Sequence, residues 1–175
     1  MRRKDEKLSK AFAGAIRKAR ISDLDAIFSI DQNAFPATET WPRDDWAECI
    51  KESMSSANTI VLVAMDGEKM AGCAVALREE DGHGEIASIA VTEDYRGQGL
   101  GKKLLESVSR NLLKQGVDKI MLQVRPDNAS AIHLYETSGF VKTAHLPGYY
   151  PDGDALEMTR LIKPRKSSAK PSAPR

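Results

Sequence analysis

The chain has 175 residues, of which 41% are hydrophobic and 29% are charged, and its formal net charge is +1. These values are typical of a soluble globular protein with one buried core. No apolar run approaches the roughly 20 residues that span a bilayer, and the basic amino terminus lacks the apolar segment of a secretion signal. The sequence therefore predicts a cytoplasmic protein with no membrane partner.

Basic residues are concentrated at the two ends of the chain. Residues 163–175 carry five basic side chains and no acidic one, whereas residues 11–162 have a net charge of about −7. We expect a basic extension over residues 1–13, one domain over 14–162 and a disordered tail over 163–175, because Pro, Ser and Lys bury too little apolar surface to fold. Solubility is one role for the tail, and nucleic-acid contact, with RNA or a ribosome, is the other.

The cysteines and histidines indicate neither a disulfide nor a metal site. Cys49 and Cys73 lie far apart in apolar segments, as buried thiols of a cytoplasmic protein do. The three histidines show no ligand spacing. Nothing in the sequence indicates the oligomeric state.

Two helices are predicted early in the domain. Ser22 and Asp25 have the spacing of a capping box, and they precede an apolar pattern of helical period over residues 23–35. A loop with two prolines separates this helix from a second one over residues 43–54.

Alternating and apolar runs predict strands between and after these helices. The predicted strands cover residues 14–21, 59–65, 69–79, 84–91, 117–124, 140–146 and 155–162. A helix over residues 100–115 and a shorter one over 128–139, capped by Asn128, separate the later strands. Helical crossovers mixed with hairpins predict an α/β domain with a central mixed sheet.

A glycine-rich stretch, "YRGQGLGKK" (residues 95–103), joins the strand over 84–91 to the helix that follows. At such a junction, backbone N–H groups and the positive end of the helix dipole converge on an anion, usually a phosphate. Arg96 and Lys102 add positive charge. The spacing matches neither the P-loop nor the dinucleotide fingerprint, and a plain strand-to-helix turn is the alternative.

Three motifs in this chain resemble those of the GNAT acetyltransferase superfamily. The stretch "YRGQGLGKK" is similar to its acetyl-CoA motif, with Arg96, Gly99 and Gly101 at the fixed positions, and "LQVRPDNASAIHLYETSGF" resembles its second coenzyme segment. The ending "GYYPDGDALEM" resembles that of bacterial RimI-like and archaeal protein amino-terminal acetyltransferases, although it is one residue shorter. The likeness covers roughly residues 15–162.

The resemblance implies a single-domain fold with helices on both faces of a twisted sheet. It also implies a splayed pair of parallel strands that holds acetyl-CoA, with no metal. The pantetheine arm would pair with strand backbone as a missing strand does, and the pyrophosphate would lie on the glycine loop. The implied coenzyme-binding residues are Ile89, Ala90, Val91, Arg96, Gly97, Gln98, Gly99, Leu100, Gly101, Lys102 and Asn128.

The resemblance also implies the catalytic groups. Tyr135 matches the family's general acid, which protonates the coenzyme A sulfur, with packing in the core as the alternative role. RimI-like enzymes carry a glutamate where this chain has Gln123, which cannot accept a proton. Glu85 matches the position at which many other members of the superfamily keep a catalytic glutamate, and a solvated strand-end charge is the alternative.

The acceptor groove is implied by the same branch of the superfamily. Tyr149 and Tyr150, which we expect in a loop, resemble paired tyrosines that contact an extended peptide. Glu39 corresponds to an acidic loop residue of the archaeal enzymes. Phe35 lies beside it, with core packing as the alternative.

Three functions remain open at this point. The first is acetyl transfer to the α-amine of a protein or peptide, with ribosomal proteins as one class of acceptor. The second is transfer to a small amine, which Gln123 and the shorter ending keep open. The third is acyl-coenzyme A binding without catalysis.

Overall fold

Seven strands and four α-helices follow one another along residues 11–162, the part of the chain that the computed structural model describes. The strands are β1 (Ala15–Lys18), β2 (Thr59–Asp66), β3 (Lys69–Arg78), β4 (Gly84–Val91), β5 (Lys119–Val124), β6 (Val141–Tyr150) and β7 (Gly153–Leu161). The helices are α1 (Leu24–Ala34), α2 (Arg43–Ser55), α3 (Leu100–Lys114) and α4 (Ala129–Thr137). Each predicted strand and helix is present, in the predicted order.

The strands form one sheet in the order β1-β2-β3-β4-β5-β7-β6. All neighbouring strands are antiparallel except β4 and β5, which are parallel. A parallel pair needs a long crossover, and helix α3 supplies it. The predicted mixed sheet is confirmed.

Alternating side chains of the central strands divide the core between the two faces of the sheet. On one face, Ile60 and Leu62 of β2 belong to the cluster that contains the apolar residues of α3 and α4. On the other face, Val61 and Val63 belong to the cluster formed with α1 and α2, where Trp46 is fully buried. The prediction of helices on both faces is confirmed.

Strands β4 and β5 separate shortly after they meet. Their parallel pairing consists of Gly84 and Glu85, at the start of β4, with Ile120 and Met121 of β5. A register shift against β3 leaves Ala87 as an extra residue of β4, and such a bulge bends a strand. The remaining length of β4 therefore has a free edge toward the gap, which confirms the splayed pair.

The first helix begins differently from the prediction. The carboxylate of Asp23 accepts a hydrogen bond from the backbone N–H of Arg20 at 2.7 Å and pairs with the guanidinium of Arg17 at 2.7 Å. The hydrogen bonds from Arg17 hold the pKa of Asp23 below its usual value. The predicted capping box of Ser22 and Asp25 is wrong, because the acid that makes these bonds is Asp23.

Strand β6 is longer than the predicted residues 140–146. It continues to Tyr150, so Tyr149 and Tyr150 lie on a strand end and not in a loop as predicted. The backbone N–H of Gly148 donates to the carboxylate of Asp154 at 2.9 Å, which holds this irregular end of β6 against β7.

The predicted terminal segments lie mostly outside the described residues, which begin at residue 11 and end at residue 162. Within the predicted amino-terminal extension, Phe12 is 3% exposed and belongs to the core beside α3. Cys49 and Cys73 are free thiols. None of the helices in residues 11–162 combines the length and the apolarity that crossing a membrane requires.

Candidate active site

A cavity of about 530 Å³, which we call the loop cavity, opens between the end of β4, the glycine-rich loop and α4. The glycine loop contributes Arg96, Gly97, Gly99, Gly101 and Lys102 to its lining, directly at the start of α3. The first N–H groups of a helix have no partner within the helix, and the helix dipole places positive potential there. This end of the loop cavity is therefore suited to a phosphate.

The glycines of this loop have two different structural roles. Gly97 and Gly99 have φ angles of +74° and +76°, in the left-handed region that other residues enter at a cost. Gly101 lies in the first turn of α3, where a Cβ atom would come within 3.3 Å of Leu134 on α4. Gly97 and Gly99 therefore shape the loop, and Gly101 allows the two helices to approach each other.

The free edge of β4 forms one wall of the loop cavity. Ile89, Ala90 and Val91 line the cavity from this strand, and Asn128, the N-cap of α4, and Ala131 line it from the helix. Since β5 has already separated from β4, the backbone of β4 is placed to pair with an extended ligand as another strand would. An amide-containing chain such as pantetheine fits this edge.

A second cavity of about 560 Å³, which we call the hairpin cavity, adjoins the first. Its walls come from the α1–α2 loop, β4, the end of β5, α4 and the β6–β7 hairpin. Among its lining residues are Phe35, Glu39, Glu85, Gln123, Tyr149 and Tyr150. Both cavities share Phe35, Ile89, Asn128 and Tyr135. Molecules bound in the two cavities would therefore meet.

Tyr135 lies where the two cavities join. Its ring centroid is 5.9 Å from that of Phe140, which fixes the ring against the core. Burial raises the pKa of Tyr135 to about 12, with a smaller contribution from Tyr150. The hydroxyl is therefore protonated at neutral pH, and it can donate a proton at the junction.

Glu85 is the half-buried carboxylate of the hairpin cavity at the start of β4. Burial raises the pKa of Glu85 above its usual value, and repulsion from Glu79 adds to the effect. Glu85 in turn contributes to the raised pKa of Tyr149, after burial. A carboxylate with a raised pKa is a stronger base than an exposed one.

Gln123 also lines the hairpin cavity, on β5, but its amide cannot take up a proton. Its cross-strand partner is Glu157 of β7. A glutamate at position 123 would place two like charges directly opposite each other, which destabilises a strand pair. The glutamine is consistent with this local environment.

Arg125, the residue after β5, connects three walls of the hairpin cavity. Its guanidinium pairs with Glu39 of the α1–α2 loop and, at 2.5 Å, with Asp152 of the β6–β7 turn. Its Cζ atom lies 4.5 Å from the ring centroid of Tyr150. The bonds to Asp152 and Glu39 raise the pKa of Arg125. We call Glu39, Arg125, Tyr150 and Asp152 the arginine clamp.

Asp31 holds one end of the α1–α2 loop in place through its buried carboxylate. It is 1% exposed, lines the hairpin cavity and accepts a hydrogen bond from the backbone N–H of Trp41 at 2.9 Å. Burial raises the pKa of Asp31. The loop that carries Glu39 is thus held at one end by Asp31 and at its middle by Arg125.

A strand, a glycine loop at a helix start and a splayed parallel strand pair are found together in this fold. The sequence model of the acetyltransferase (GNAT) family matches residues 24–140. The chain belongs to this family. It is an N-acetyltransferase by its homologues, and its fold is the GNAT fold of its structural neighbours.

Several GNAT relatives match nearly the whole domain. The chain is 35% identical over 144 residues to the ribosomal protein bS18-alanine N-acetyltransferase of Escherichia coli, which covers 81% of this chain and 90% of the relative. It is 33% identical over 161 residues to an N-alpha-acetyltransferase of Saccharolobus solfataricus, and this match covers 84% of this chain and 92% of the relative.

The solved structures agree with this relationship. The crystal structure of the Escherichia coli enzyme superposes with a TM-score of 0.73 at 33% identity and covers 85% of this chain and 94% of its own. That of Ard1 from Thermoplasma volcanium gives a TM-score of 0.76 at 29% identity and covers 86% and 98%.

The predicted GNAT site residues fall into two groups in the structure. Most of them line one or both cavities. Leu100 is 1% exposed in the core, and the side chain of Gln98 donates to the carbonyl of Asp94 at 2.7 Å, so their side chains face away from the loop cavity. Within residues 11–162, no group of His, Cys, Asp and Glu is arranged to hold a metal ion.

Three contributors were not identified from the sequence pattern. Arg125 lies within the stretch "LQVRPDNASAIHLYETSGF", but the pattern assigns no role to Arg125, Asp31 or Asp152. A weak local signal exists for Arg125, because it follows directly after β5 and functional residues are common in loops that a rigid scaffold positions. The partners of Arg125 give no comparable signal, since Glu39 is 86 residues away.

Proposed function

We propose that this GNAT acetyltransferase transfers the acetyl group of acetyl-CoA to the α-amino group at the amino terminus of a protein or peptide. The observation that carries the proposal is the junction of the loop cavity and the hairpin cavity at Tyr135. The relatives named for acetylation of bS18 and of α-amines support this acceptor. A ribosomal protein is the acceptor class that the Escherichia coli relative suggests.

The loop cavity would hold acetyl-CoA, which supplies an activated acetyl thioester. The helix start at Gly99 to Lys102, with Arg96 at the rim, fits a pyrophosphate. The free edge of β4 at Ile89 to Val91 fits the amides of the pantetheine arm, and its N–H groups are suited to polarise the thioester carbonyl. Asn128 lies at the junction, where the thioester would be.

The attacking group in this proposal is a neutral α-amine in the hairpin cavity. A free α-amino group has a pKa of about 7.7 to 8.0, so a useful fraction is neutral near pH 7. Nitrogen attacks the carbonyl carbon, and the proton that it loses passes to Glu85, directly or through a water molecule. The raised pKa of Glu85 favours this transfer.

Collapse of the tetrahedral intermediate breaks the carbon–sulfur bond and leaves a thiolate. Tyr135 donates its hydroxyl proton to that sulfur and recovers a proton from solvent. Because burial raises the pKa of Tyr135 to about 12, the donor form dominates throughout the neutral range. Glu85 as base and Tyr135 as acid would thus both act from the lining of the hairpin cavity.

Aromatic side chains at the cavity mouth would contact the first residues of the acceptor. Tyr149 is 49% exposed, and its ring packs edge-on against Tyr150 with centroids 5.0 Å apart. Phe35 lines both cavities, so it lies near the reacting groups. Rigid aromatic walls of this kind suit an extended peptide backbone.

The test is acetyl-CoA turnover, measured by release of free thiol. The acceptors are a panel of short peptides with different first residues and a matched panel of small amines. We expect turnover with peptides that carry a free amino terminus and none with the same peptides blocked by acetylation. Turnover confined to small amines would contradict the proposal.

A small amine is the second candidate acceptor. The β6–β7 ending is one residue shorter than in the RimI-like pattern, and Gln123 replaces the glutamate of that pattern. Both differences lie in walls of the hairpin cavity. The two panels of the same experiment distinguish the candidates directly.

A further inference from the structure

We propose that Phe12, which precedes the residues that the family model matches, is a positioning residue for the glycine loop and hence for acetyl-CoA. The family model matches residues 24–140 and the resemblance begins near residue 15, so neither assigns a role to this segment. The inference rests on the proposed coenzyme site. It concerns the contacts by which a residue outside the coenzyme site holds the glycine loop in place.

The backbone of Phe12 is bonded to the loop and to α3. Its N–H donates to the carbonyl oxygen of Gln98 at 3.3 Å. Its carbonyl oxygen accepts a hydrogen bond from the ammonium group of Lys103, in the first turn of α3. Gln98 lies between Gly97 and Gly99, the two residues with left-handed φ angles. The segment thus fixes the loop at its centre and at the start of the helix.

The ring of Phe12 supports the other end of the loop. It packs edge-on against Tyr95, with ring centroids 6.1 Å apart, and Tyr95 lines the loop cavity. The hydroxyl of Tyr95 donates to Asp66 of β2 at 2.8 Å. The ammonium of Lys103 also lies 5.6 Å from the Phe12 ring centroid. Phe12 therefore contacts both ends of the segment that would surround a pyrophosphate.

Gly14 explains why the chain reaches this position. A Cβ atom at Gly14 would overlap the carbonyl oxygen of Met65, and it would lie 2.6 Å from the ring of Phe12. Only a residue without a side chain can pass between β2 and that ring. The chain turns there from β1 toward the glycine loop, so the position of Phe12 is fixed by the fold of residues 11–15.

A preorganised loop binds its ligand more tightly, because the ordering entropy is already lost before binding. In Phe12→Ala the backbone N–H that donates to the carbonyl oxygen of Gln98 is retained, but the ring no longer anchors it, so the backbone N–H groups of the loop are held less firmly in one direction. The effect falls on coenzyme binding and not on the acceptor. A general loss of stability would not show this selectivity.

The experiment measures CoA binding to the full chain by calorimetry, together with amide hydrogen exchange of residues 97–103 in the absence of ligand. For Phe12→Ala we expect the Kd for CoA to rise about tenfold and exchange in the loop to accelerate. Phe12→Leu, which keeps apolar volume but lacks the ring edge, should show a smaller effect of the same kind and remains informative if the alanine variant does not fold.

The matched control is Ile50→Ala, a fully buried residue of α2 on the opposite face of the sheet. It should lower the melting temperature while leaving the Kd for CoA and the loop exchange unchanged. Equal effects of the Phe12 and Ile50 variants on the loop, or no effect of Phe12→Leu and Phe12→Ala, would overturn the inference. Amide hydrogen exchange of the loop is measured without ligand. If the wild-type chain fails to bind CoA, the proposed function is contradicted, but the exchange data still decide whether Phe12 holds the loop.

Discussion

The guanidinium of Arg125 lies 4.5 Å from the ring centroid of Tyr150 while it bonds carboxylates of two other segments. This arrangement joins the α1–α2 loop, the end of β5 and the β6–β7 hairpin, which form three walls of the hairpin cavity. A planar guanidinium can stack and make several hydrogen bonds at once, whereas an ammonium cannot. The clamp therefore requires arginine.

For Arg125→Lys we expect the KM for a peptide acceptor to rise about tenfold, because the cavity walls lose their common anchor. The Kd for CoA should remain unchanged, since Arg125 does not line the loop cavity. Steady-state kinetics and calorimetry measure the two quantities. Arg43→Lys, which alters an exposed pair with Asp25, is the control and should leave both values unaltered. An unchanged peptide KM in Arg125→Lys would refute the role of the clamp.

Tyr135→Phe should lower kcat by about 100-fold, the lower end of what general acid catalysis contributes. The ring and its packing against Phe140 are retained, so the Kd for CoA and the melting temperature should change little. Tyr149→Phe removes a hydroxyl from the cavity mouth and serves as the comparison, with a kcat close to that of wild type. A kcat within twofold of wild type for Tyr135→Phe would rule out Tyr135 as the proton donor.

Glu85→Gln tests whether Glu85 is the base and how much its half-buried charge lowers the stability of the folded state. The folded state raises the pKa of Glu85, so it holds this proton more tightly than the unfolded state does, and the group's contribution to stability falls as pH rises through that pKa. At pH 7 the variant should therefore melt at a higher temperature than wild type, and the difference should shrink toward pH 4.

The same Glu85→Gln variant should lose kcat by at least about tenfold, because the amide cannot accept the amine proton. Glu80→Gln, an exposed acid of the preceding turn, controls for a change of net charge and should leave kcat and the melting temperature unaltered. If the Glu85 variant is both less stable and fully active, its assignment as base is wrong. Gain of stability with loss of activity is typical of a functional group.

Gly99→Ala should weaken CoA binding through the backbone. The residue has a φ of +76°, and a Cβ atom there would contact nothing within 4 Å, so the cost is conformational and amounts to about 1–2 kcal/mol. Gly82→Ala is a matched control, because Gly82 has a φ of +89° and an equally open position in the turn before β4. Both variants should lose similar stability in denaturant melts, but only Gly99→Ala should raise the Kd for CoA.

The sequence predicts the order and type of the elements because each has a strong local pattern. Helix α3 shows this best, since Leu104, Leu105, Val108 and Leu112 recur at helical spacing and all four are fully buried. The glycine loop is also a local signal, because its residues are contiguous. Errors occur where a contact from another element decides the outcome. Asp23 replaces the predicted cap because Arg17 lies beside it in the fold.

The hairpin cavity was less predictable than the loop cavity for the same reason. Its residues come from five separate segments, and the bond between Glu39 and Arg125 spans 86 residues. Phe12 lay in a segment assigned to the basic extension, since one aromatic among charged residues carries no periodic pattern. Composition shows the charge of that segment but not that Phe12 packs on the core.

The two-residue pairing of β4 with β5 has a consequence for cooperativity. It divides the sheet into a four-stranded block, β1 to β4, and a three-stranded block of β5, β7 and β6, each fully antiparallel. Acetyl-CoA bound as proposed, with its pantetheine arm in the gap, would add backbone hydrogen bonds between the two blocks, and a ligand stabilises the state that binds it. In each catalytic cycle, the contact between the two blocks would therefore become more stable when acetyl-CoA binds and less stable when CoA leaves.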